Sequence, residues 1–435
     1  MRDFLPDDVR RRAFVIGAIA DVYQRYGFEP LETPAVENIE TLLGKYGEEG
    51  DRLIFKILKR GEEGRQTGET DLALRYDLTV PLARVVAEYQ GKLPKFFKRY
   101  QIQPVWRADR PQKGRFREFY QCDVDAIGST SAVVEAEVCA AVSDVLIRLG
   151  FTDFTIRLNH RDVLRGLLDS AGVVAALHDA ALVAIDKLDR VGADGVKAEL
   201  VRRGVGEDAA AAALAAFASD TSADNAAVDG RLASLLAGQG SGVAGLQNLR
   251  QILSNSTVTS AGRHIRLDAS LARGLSYYTG AIFEVAVPDL AGSLGGGGRY
   301  DNLVGMFSGQ SVPACGFSLG LERILVVMGE RGMFPPEVAV SGPDVLVTLW
   351  NDQAAGESLA LARDLRSAGL RVEVYPEADK IGKQLKYASA RGARFVTIVG
   401  DDERAKGAAN VKQLATGDQQ TIPVSDLGAW LRARL

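Results

Sequence analysis

Two β-rich runs flank a polar loop in the segment from Lys95 to Asp125. The loop contains Pro111 and Gly114, which are typical of turns, so this segment predicts a hairpin with a long loop. Arg and Lys are dense in the loop, and Phe119 lies just after it. A basic hairpin loop with an aromatic side chain can bind phosphate groups and stack on a purine ring. The alternative is a solvated basic loop on an ordinary hairpin.

Three glycine- and arginine-containing elements follow within about fifty residues in the second half of the chain. They are Leu271–Val285 with Arg273, Gly295–Asp301 with Arg299, and Gly316–Arg323. Exposed backbone N–H groups and guanidinium groups both bind anions, so the three elements together predict a site for a phosphate-rich ligand. The last element reads as a small-residue strand that leads into a helix bearing Arg323.

The first of these elements, Leu271–Val285, is the predicted centre of the chemistry. Arg273 would enter a cleft as a fixed cation, and Gly274 lets the backbone turn tightly beside it. We expect Tyr277 and Tyr278 on a strand, where adjacent side chains point to opposite faces, so that one lines a pocket while the other packs. For this element alone, a core strand with a surface arginine and packed tyrosines is the alternative.

A strand is also predicted to end at Asp77–Thr79, just before a helix opened by Pro81. A carboxylate beside a hydroxyl at a strand end could hold an ammonium group. Thr79 could instead cap the following helix, and the two roles are compatible. On the second strand of the hairpin, Gln121 and Asp125 are spaced to face the same side.

Length and charge set limits on the whole molecule. The 435 residues are too many for one simple core and predict two or three domains. Lys and Arg number 52 against 56 Asp and Glu, a net charge of −4. Overall charge therefore gives no support for nucleic-acid binding, and any RNA contact must come from local basic patches.

Cysteine and histidine usage argues against a metal site. The three cysteines and three histidines are scattered, without metal-ligand spacing: Cys122, Cys139, Cys315, His160, His178 and His264. We expect His160 to be a structural loop residue. No apolar run reaches membrane length, and the N-terminus lacks a signal-peptide pattern, so a cytoplasmic protein is expected.

The remaining segments predict the domain organisation. Asp8–Tyr26 has a helical period, with Gly27 as its C-cap and a strand at Phe28–Leu31. The alanine-rich region from about Arg165 to Asn255 predicts an inserted helical domain, in which Lys187–Leu200 forms a helix, a short loop and a second helix. Gly329–Pro343 is rich in glycine and proline and predicts a linker.

From Asp344 onward strands and helices alternate as βαβαβ, which predicts a small, mainly parallel sheet with right-handed crossovers. Lys380, Lys383 and Lys386 share roughly one helix face there. That face is either an RNA contact or a solvated lysine surface.

These segments resemble the histidyl-tRNA synthetases, a family of class II aminoacyl-tRNA synthetases. The helix–Gly27–strand–Pro34 unit is similar to motif 1 of the class, Lys95–Asp125 to motif 2, and Gly316–Arg323 to motif 3. Leu271–Val285, with its Arg-Gly-Leu-x-Tyr-Tyr sequence, and Gly295–Asp301 resemble the two histidine-specific signatures.

The resemblance implies an α+β fold: a class II synthetase antiparallel sheet flanked by helices, with a helical insertion and a C-terminal α/β anticodon-binding domain. It places the catalytic core at residues 1–164 and 256–328, the insertion at 165–255, the linker at 329–343 and the anticodon-binding domain at 344–435. The insertion either clamps the tRNA acceptor arm or packs passively. Motif 1 implies a homodimer.

The resemblance also implies roles for individual residues. The catalytic arginines would be Arg107, Arg273 and Arg323. The histidine-binding residues would be Asp77, Leu78, Thr79, Arg107, Gln121, Asp125, Arg273, Tyr277 and Tyr278. The ATP-binding residues would be Arg107, Arg115, Phe119 and Arg323. The expected substrates are L-histidine, ATP with Mg²⁺ and tRNA(His), with no tightly bound cofactor, no protein metal site and no membrane partner.

Two positions depart from the family pattern: Asp109 stands where many class II enzymes have glutamate, and Ser276 stands where aspartate is usual. A second reading is the catalytically silent, histidine-binding paralogue that serves as the regulatory subunit of ATP phosphoribosyltransferase. That paralogue typically lacks the anticodon-binding domain and the catalytic arginines. This chain has both, which favours the enzyme.

Overall fold

The computed structural model describes residues 1–61, 66–110, 114–218, 223–272, 277–339 and 342–435. The chain divides into two units. The first contains Met1–Asp3 and Arg12–Met333, and the second contains Phe4–Arg11 and Phe334–Leu435. The boundaries of core, insertion, linker and anticodon-binding domain remain predictions.

An eight-stranded sheet forms the centre of the first unit. Its strands, in sheet order, are β1 (Glu29–Pro30), β5 (Phe97–Trp106), β6 (Glu118–Ile127), β11 (Ala314–Gly320), β10 (Ser293–Arg299), β9 (Ala281–Ala286), β7 (Thr155–His160) and β8 (Ile265–Leu267). The six inner strands pair antiparallel, and the edge strands β1 and β8 pair in parallel with their neighbours. The strand predicted at Phe28–Leu31 is present only as the two-residue β1.

The predicted long hairpin is β5–β6, with ten residues in each strand. Its register pairs Arg99 with Asp125 and Gln103 with Gln121. On its other side β6 pairs with β11, which places Gly316 opposite Asp125. Since directly opposed residues have Cβ atoms about 5 Å apart, side chains from neighbouring strands meet on one face of this sheet.

A three-stranded antiparallel sheet and short helices precede the hairpin. The strands are β2 (Val36–Asn38), β4 (Thr70–Leu74) and β3 (Lys56–Leu58), in that sheet order. The helices of this part are α1 (Pro6–Arg25), α2 (Ile39–Leu42), α3 (Gly47–Asp51) and α4 (Thr79–Tyr89). Helix α4 begins two residues before Pro81, and Thr79 does not cap it. The N–H of Val80 instead donates to Asp77 Oδ1 at 3.0 Å.

Helices cover the sheet. Most of them lie between β7 and β8 in the sequence. They are α5 (Ala132–Arg148), α6 (Arg161–Ser170), α7 (His178–Ile185), α8 (Leu188–Arg202), α9 (Glu207–Phe217), α10 (Asn225–Leu235) and α11 (Gly240–Ser256), with a 3₁₀ turn at Ala175–Leu177. Helix α8 is interrupted at Gly192, whose φ is 71°. This break corresponds to the short loop predicted between two helices. Helix α11 packs against α5 and α6.

The glycine-rich strand β10 is flanked by close neighbours. A Cβ at Gly297 would lie 2.7 Å from Phe317 Cα, and one at Gly298 would lie 3.0 Å from the ring of Tyr278. Only glycine fits such approaches without a shift of the neighbouring backbone or ring. The first unit ends with α12 (Gly305–Ser308) and α13 (Leu321–Glu330).

The Arg299 at the end of β10 does not contribute to an anion site. Its buried guanidinium donates from Nε to Glu135 at 2.6 Å and from Nη1 to the carbonyl of Ser129 at 2.9 Å and to Asp301 at 3.1 Å. Arg299 therefore ties β10 to α5. The expectation that it belongs to the phosphate site is wrong, because Glu135, Ser129 and Asp301 already engage its Nε and Nη1.

The second unit has a five-stranded sheet in the order β13 (Val372–Val374), β12 (Val345–Val347), β14 (Phe395–Ile398), β15 (Ala408–Gln413) and β16 (Gln419–Pro423). Its helices are α14 (Pro336–Ala339), α15 (Ala355–Ser367), α16 (Ile381–Ala390), α17 (Asp401–Ala405) and α18 (Val424–Arg432), with a 3₁₀ turn at Asp352–Ala354. The first three strands are parallel, as predicted, and β15 and β16 add an antiparallel edge. This antiparallel edge was not predicted from the sequence.

Candidate active site

A cleft of about 410 Å³ opens on the face of the large sheet. It contains ten of the predicted site residues: Asp77, Thr79, Arg107, Arg115, Phe119, Gln121, Asp125, Tyr277, Tyr278 and Arg323. Leu78 is fully buried and does not line the cleft. Arg273 and Ser276 lie outside the described residues. The structure thus brings segments separated by more than two hundred residues to one place.

At one end of the cleft the carboxylate of Asp77 is held by three donors. Oδ1 accepts from Tyr46 Oη and from the backbone N–H of Val80, both at 3.0 Å, and Oδ2 accepts from Tyr277 Oη at 3.4 Å. Burial raises the pKa of Asp77, although these donors and the nearby Arg107 act against the rise. A buried carboxylate in this setting favours a cationic ligand group.

Asp125 lies deeper in the same end. Its Oδ1 accepts a hydrogen bond from the hydroxyl of Tyr300, and Arg99 Nη2 lies 2.9 Å from its Oδ2. Arg99 also lies 3.8 Å from Asp123, a second buried carboxylate that lines the cleft. Within the described residues Oδ2 of Asp125 accepts no hydrogen bond, although Arg99 Nη2 forms an ion pair with it at 2.9 Å. That oxygen keeps its capacity to accept one from a ligand.

Burial dominates the titration of this carboxylate pair. It raises the pKa of Asp123 to about 7 and also raises the pKa of Asp125, while the charge of Arg99 opposes both shifts. Gly316 makes room for this arrangement, because a Cβ there would overlap the Asp125 carboxylate. Gly316, in the third predicted element, therefore leaves space for the Asp125 carboxylate and also forms part of β11.

Tyr277 and Tyr278 both line the cleft, so the prediction that they face opposite sides of a strand is wrong. They precede β9, which begins at Ala281, and lie in irregular backbone. Their rings meet edge to face, with centroids 5.1 Å apart. Strand alternation does not apply outside a strand, and burial raises the pKa of both hydroxyls, which stay protonated donors.

The hairpin supplies the middle of the cleft. Arg107 donates from Nε to the carbonyl of Tyr76 at 3.1 Å, and its guanidinium stacks over the rings of Tyr76 and Phe119 at 4.3 and 5.1 Å. Gln121 donates to Ser318 Oγ at 2.7 Å. Stacking fixes the plane of the Arg107 guanidinium, which suits binding to a planar or phosphate group.

The far end of the cleft is formed by the start of α13. Arg323 donates from Nη1 to the carbonyl of Ser293. The preceding residue, Glu322, forms an ion pair of 2.7 Å with Arg12 and accepts from the N–H of Tyr120 at 2.9 Å. Arg115 is exposed at the mouth of the cleft. Asp77, Asp123 and Asp125 thus cluster at one end of the cleft, and the rest of its lining contains three arginines together with the carboxylates Asp109, Asp186, Glu284 and Glu322.

Sequence reasoning missed four of these participants: Arg99, Asp123, Tyr300 and Glu322. Asp123 could have been found, because alternate residues of a strand face the same side and Asp123 lies between Gln121 and Asp125. Tyr300 lies in an element that was identified, but its role depends on the position of β6. Arg99 depends on the register of β5 against β6.

His160 has the structural role that was expected. Its Nδ1 accepts from the N–H of Asp162 at 3.1 Å and caps α6. Across the described residues no group of three or more His, Cys, Asp or Glu side chains is placed to hold a metal ion. The same residues include no helix with the length and apolar character that crossing a bilayer requires.

An antiparallel sheet of this order, with the hairpin and a strand–helix element lining one cleft, is the architecture of the class II aminoacyl-tRNA synthetases. Comparison with known proteins agrees with this class. A family model described as Histidyl-tRNA synthetase matches residues 1–324, and one described as Anticodon binding domain matches residues 344–434.

Curated relatives cover the chain almost completely. The Histidine--tRNA ligase of Gloeobacter violaceus is 43% identical over 100% of this chain and 97% of its own length. That of Porphyromonas gingivalis is 44% identical over 97% of this chain and 96% of its own. The chain belongs to the histidyl-tRNA synthetase family.

Solved structures support the same conclusion. The histidyl-tRNA synthetase from Nostoc sp. PCC 7120 aligns with a TM-score of 0.81 and 31% identity, covering 100% of this chain and 98% of that one. A Bacillus halodurans protein described as an ATP phosphoribosyltransferase regulatory subunit/histidyl-tRNA synthetase aligns with a TM-score of 0.72 and 22% identity, over 89% of this chain and 94% of that one. This second likeness shows the fold alone.

Proposed function

We propose that this protein attaches L-histidine to tRNA(His) in two steps. A carboxylate oxygen of histidine attacks the α-phosphorus of ATP, the bond to the β-phosphate breaks, and pyrophosphate leaves. The 3′-hydroxyl of the terminal tRNA ribose then attacks the carbonyl carbon of the histidyl-adenylate and releases AMP. Full-length similarity to histidine–tRNA ligases supports this reaction over the regulatory paralogue.

The observation that carries the proposal is that one cleft contains both a buried carboxylate cluster and three arginines. Asp77, Asp123 and Asp125 form the cluster at the acidic end, and Arg107, Arg115 and Arg323 are the arginines of the lining. Histidine presents an ammonium group and an imidazole, and ATP presents phosphates. The cleft can therefore hold the amino acid at its acidic end with the carboxylate directed toward the α-phosphate.

At the acidic end, Asp77 and Thr79 would bind the ammonium group. Neutral imidazole has one donor and one acceptor nitrogen. Oδ2 of Asp125 would accept from the first, and a hydroxyl of Tyr277 or Tyr278 would donate to the second. Gln121 would contact the substrate beside them. Leu78 contributes through its backbone, since its carbonyl accepts from Arg99 at 3.3 Å.

At the basic end, Arg107 would hold the α-phosphate and the attacking carboxylate, and Arg323 the γ-phosphate. Arg115 would contact the phosphates from the hairpin loop, and Phe119 would stack on adenine. Such fixed cations stabilise the negative charge that accumulates in both transition states. Family resemblance gives Arg273 the same task. Mg²⁺ would enter as the MgATP substrate complex.

Three further parts of the proposal concern tRNA binding, dimerisation and localisation. The second unit matches an anticodon-binding domain and would bind tRNA. Helix α1 and β1, which resemble motif 1, would form a homodimer interface. Because its substrates are those of protein synthesis, the enzyme would act in the cytoplasm.

The test is histidine-dependent exchange of labelled pyrophosphate into ATP without tRNA, with the other amino acids as controls. Exchange with histidine alone, followed by charging of tRNA(His), is the expected result. Absence of exchange despite histidine binding would contradict the proposal and favour the regulatory paralogue. Sedimentation analysis would separately test the dimer.

A further inference from the structure

Arg99 lies beneath the acidic end of the cleft. It contacts both the Asp125 side and the Leu78 side of this end, but it does not line the cleft. Its side chain is 0% exposed. Nη2 lies 2.9 Å from Asp125 and 3.8 Å from Asp123, and it donates to the carbonyl of Leu78 at 3.3 Å. Nη1 donates to Gln101 at 3.2 Å. One guanidinium therefore joins the carboxylates on β6 to the segment that precedes α4.

The position of Arg99 follows from the register of the hairpin. It is the cross-strand partner of Asp125, so its side chain emerges on the same face of the sheet and beside that carboxylate. The planar, forked guanidinium can contact a carboxylate and a carbonyl at the same time, whereas a lysine ammonium is a compact point charge. The carbonyl belongs to Leu78, the residue next to Asp77.

The charges around the carboxylate pair explain why a buried cation is needed. The titratable and charged groups that face Asp123 and Asp125 are Arg99, Arg75, Asp77, Tyr23, Cys122, Tyr278, Tyr300 and Cys315. Among the residues that the structure describes, Arg99 is the cation of that set whose guanidinium lies within 4.0 Å of these carboxylates. A buried carboxylate without a compensating charge takes up a proton, and it then loses acceptor capacity.

We propose that Arg99 is a positioning residue that holds the ammonium-binding and imidazole-binding halves of the histidine pocket in one geometry and keeps Asp125 available as an acceptor. This inference rests on the proposed function, since it assigns histidine to the acidic end. It predicts that Arg99 controls affinity for the amino acid and leaves affinity for ATP unchanged.

The experiment compares Arg99→Met, Arg99→Lys and a matched control, Arg161→Met. Arg161 is also a buried arginine of the same unit, 7% exposed, and its guanidinium lies 3.8 Å from Asp179. It does not line the cleft. Its replacement removes a buried guanidinium, and the charged groups that act on Arg161 do not include Asp123 or Asp125.

Calorimetric titration with histidine and, separately, with ATP measures the two affinities from pH 6 to pH 9. Histidine binding to Arg99→Met should weaken about 10- to 100-fold, since a buried charged partner is lost. ATP binding should stay within about twofold of wild type. Without Arg99 the carboxylates bind protons more tightly. As the pH is lowered, histidine binding should therefore be lost at a higher pH than in wild type.

Arg99→Lys separates charge from geometry. It should keep the wild-type pH dependence, because the charge remains, and still bind histidine more weakly, because one ammonium cannot reproduce the contacts of the fork. Arg161→Met should melt at a lower temperature and retain both affinities. If Arg99→Met does not fold, the lysine variant still tests the proposal.

The proposal is overturned if either Arg99 variant binds histidine as wild type does. It is also overturned if Arg99→Met lowers both affinities equally, as a general structural defect would. Because titration needs no catalysis, a wild-type protein that binds histidine but fails in pyrophosphate exchange would contradict the proposed activity and leave the Arg99 result interpretable.

Discussion

Arg12 Nη1 lies 2.7 Å from Glu322 Oε1, and the two side chains are 10% and 3% exposed. This buried ion pair joins α1 to the first turn of α13, across 310 positions of sequence. The other oxygen of Glu322 accepts from the N–H of Tyr120 on β6. The helix start that presents Arg323 to the cleft is therefore fixed by a residue near the N-terminus.

Arg12→Met should lower the free energy of unfolding of the first unit by about 3–5 kcal/mol, because it leaves the Glu322 carboxylate buried without its cation. Denaturant unfolding measures this change. The double variant Arg12→Met with Glu322→Gln should recover part of the loss, since the uncompensated charge is gone. A double variant no more stable than Arg12→Met alone would contradict this account of the pair.

Asp125→Ala should weaken histidine binding by about 1–3 kcal/mol, because an imidazole N–H loses its acceptor, and should leave ATP binding nearly unchanged. Arg115→Ala is the reciprocal control: it should weaken ATP binding and spare histidine. Separate titrations with the two ligands measure both effects. Equal losses of both affinities in Asp125→Ala would refute the assignment of this carboxylate to the amino acid.

Gly316→Ala should abolish most histidine binding, because the new methyl group would occupy the position of the Asp125 carboxylate. Overpacking of this kind costs about 1–3 kcal/mol of stability as well. Gly230→Ala is the matched control. Gly230 lies within α10, and a Cβ there would meet no atom within 4 Å.

That control should stabilise the protein by up to about 1 kcal/mol through helix propensity and keep wild-type histidine binding. Calorimetry and thermal unfolding of the two variants supply the comparison. Wild-type histidine affinity in Gly316→Ala would show that Asp125 has room to move and would remove the steric argument.

These residues also show how far the sequence predicts the structure. The hairpin and the first parallel strands of the second unit were predictable, because turn residues and strand periodicity are local signals. Arg299 and Arg323 look alike in sequence, since each follows a glycine-containing segment: Arg299 ends β10, and Arg323 lies in the first turn of the helix after β11. The structure separates them: Arg299 meets Glu135 from α5, a partner that only packing of distant segments supplies.

The same limit applies to Arg99 and Tyr300. Each acts on Asp125 through strand pairing or a long-range contact, and periodicity within one segment carries no information about register against another. Tyr277 and Tyr278 were misplaced because strand alternation was extended to residues that precede the strand. Ten cleft residues could nevertheless be named in advance, since family resemblance carries the long-range information that local patterns lack.

Lys380 and Lys386 are exposed at the start and middle of α16, whereas Lys383 is bonded to Asp379 at 2.7 Å. If this face contacts tRNA phosphates, replacing Lys380 and Lys386 by Gln should raise the KM for tRNA. It should also reduce the slope of binding against salt concentration by about one for each lost phosphate contact.

Lys383→Gln is the control and should have a smaller effect, because an ion pair already engages this lysine. Pyrophosphate exchange should be unchanged in every case, as it needs no tRNA. Wild-type charging kinetics and salt dependence in the double variant would identify this surface as a solvated lysine face.

Asp123 makes stability depend on pH. Burial raises the pKa of its carboxyl from the usual 3.8 to about 7. A folded-state pKa above the unfolded value means that the stabilising contribution is complete below about pH 4 and is lost as pH rises through about 7. Asp123→Asn cannot ionise, so its melting temperature should exceed that of wild type by more at pH 8 than at pH 5.

Thermal unfolding of the ligand-free protein at the two pH values measures this difference, with Asp71→Asn as the control. Asp71 is exposed, so its replacement should give no pH-dependent gain. Asp125 and Asp77 titrate in both wild type and Asp123→Asn, so their contributions to the pH dependence cancel to first order in the comparison. Only their coupling to Asp123 differs between the two proteins. A gain that is equal at both pH values, or larger at pH 5, would show that Asp123 is ionised throughout and that Arg99 compensates both carboxylates.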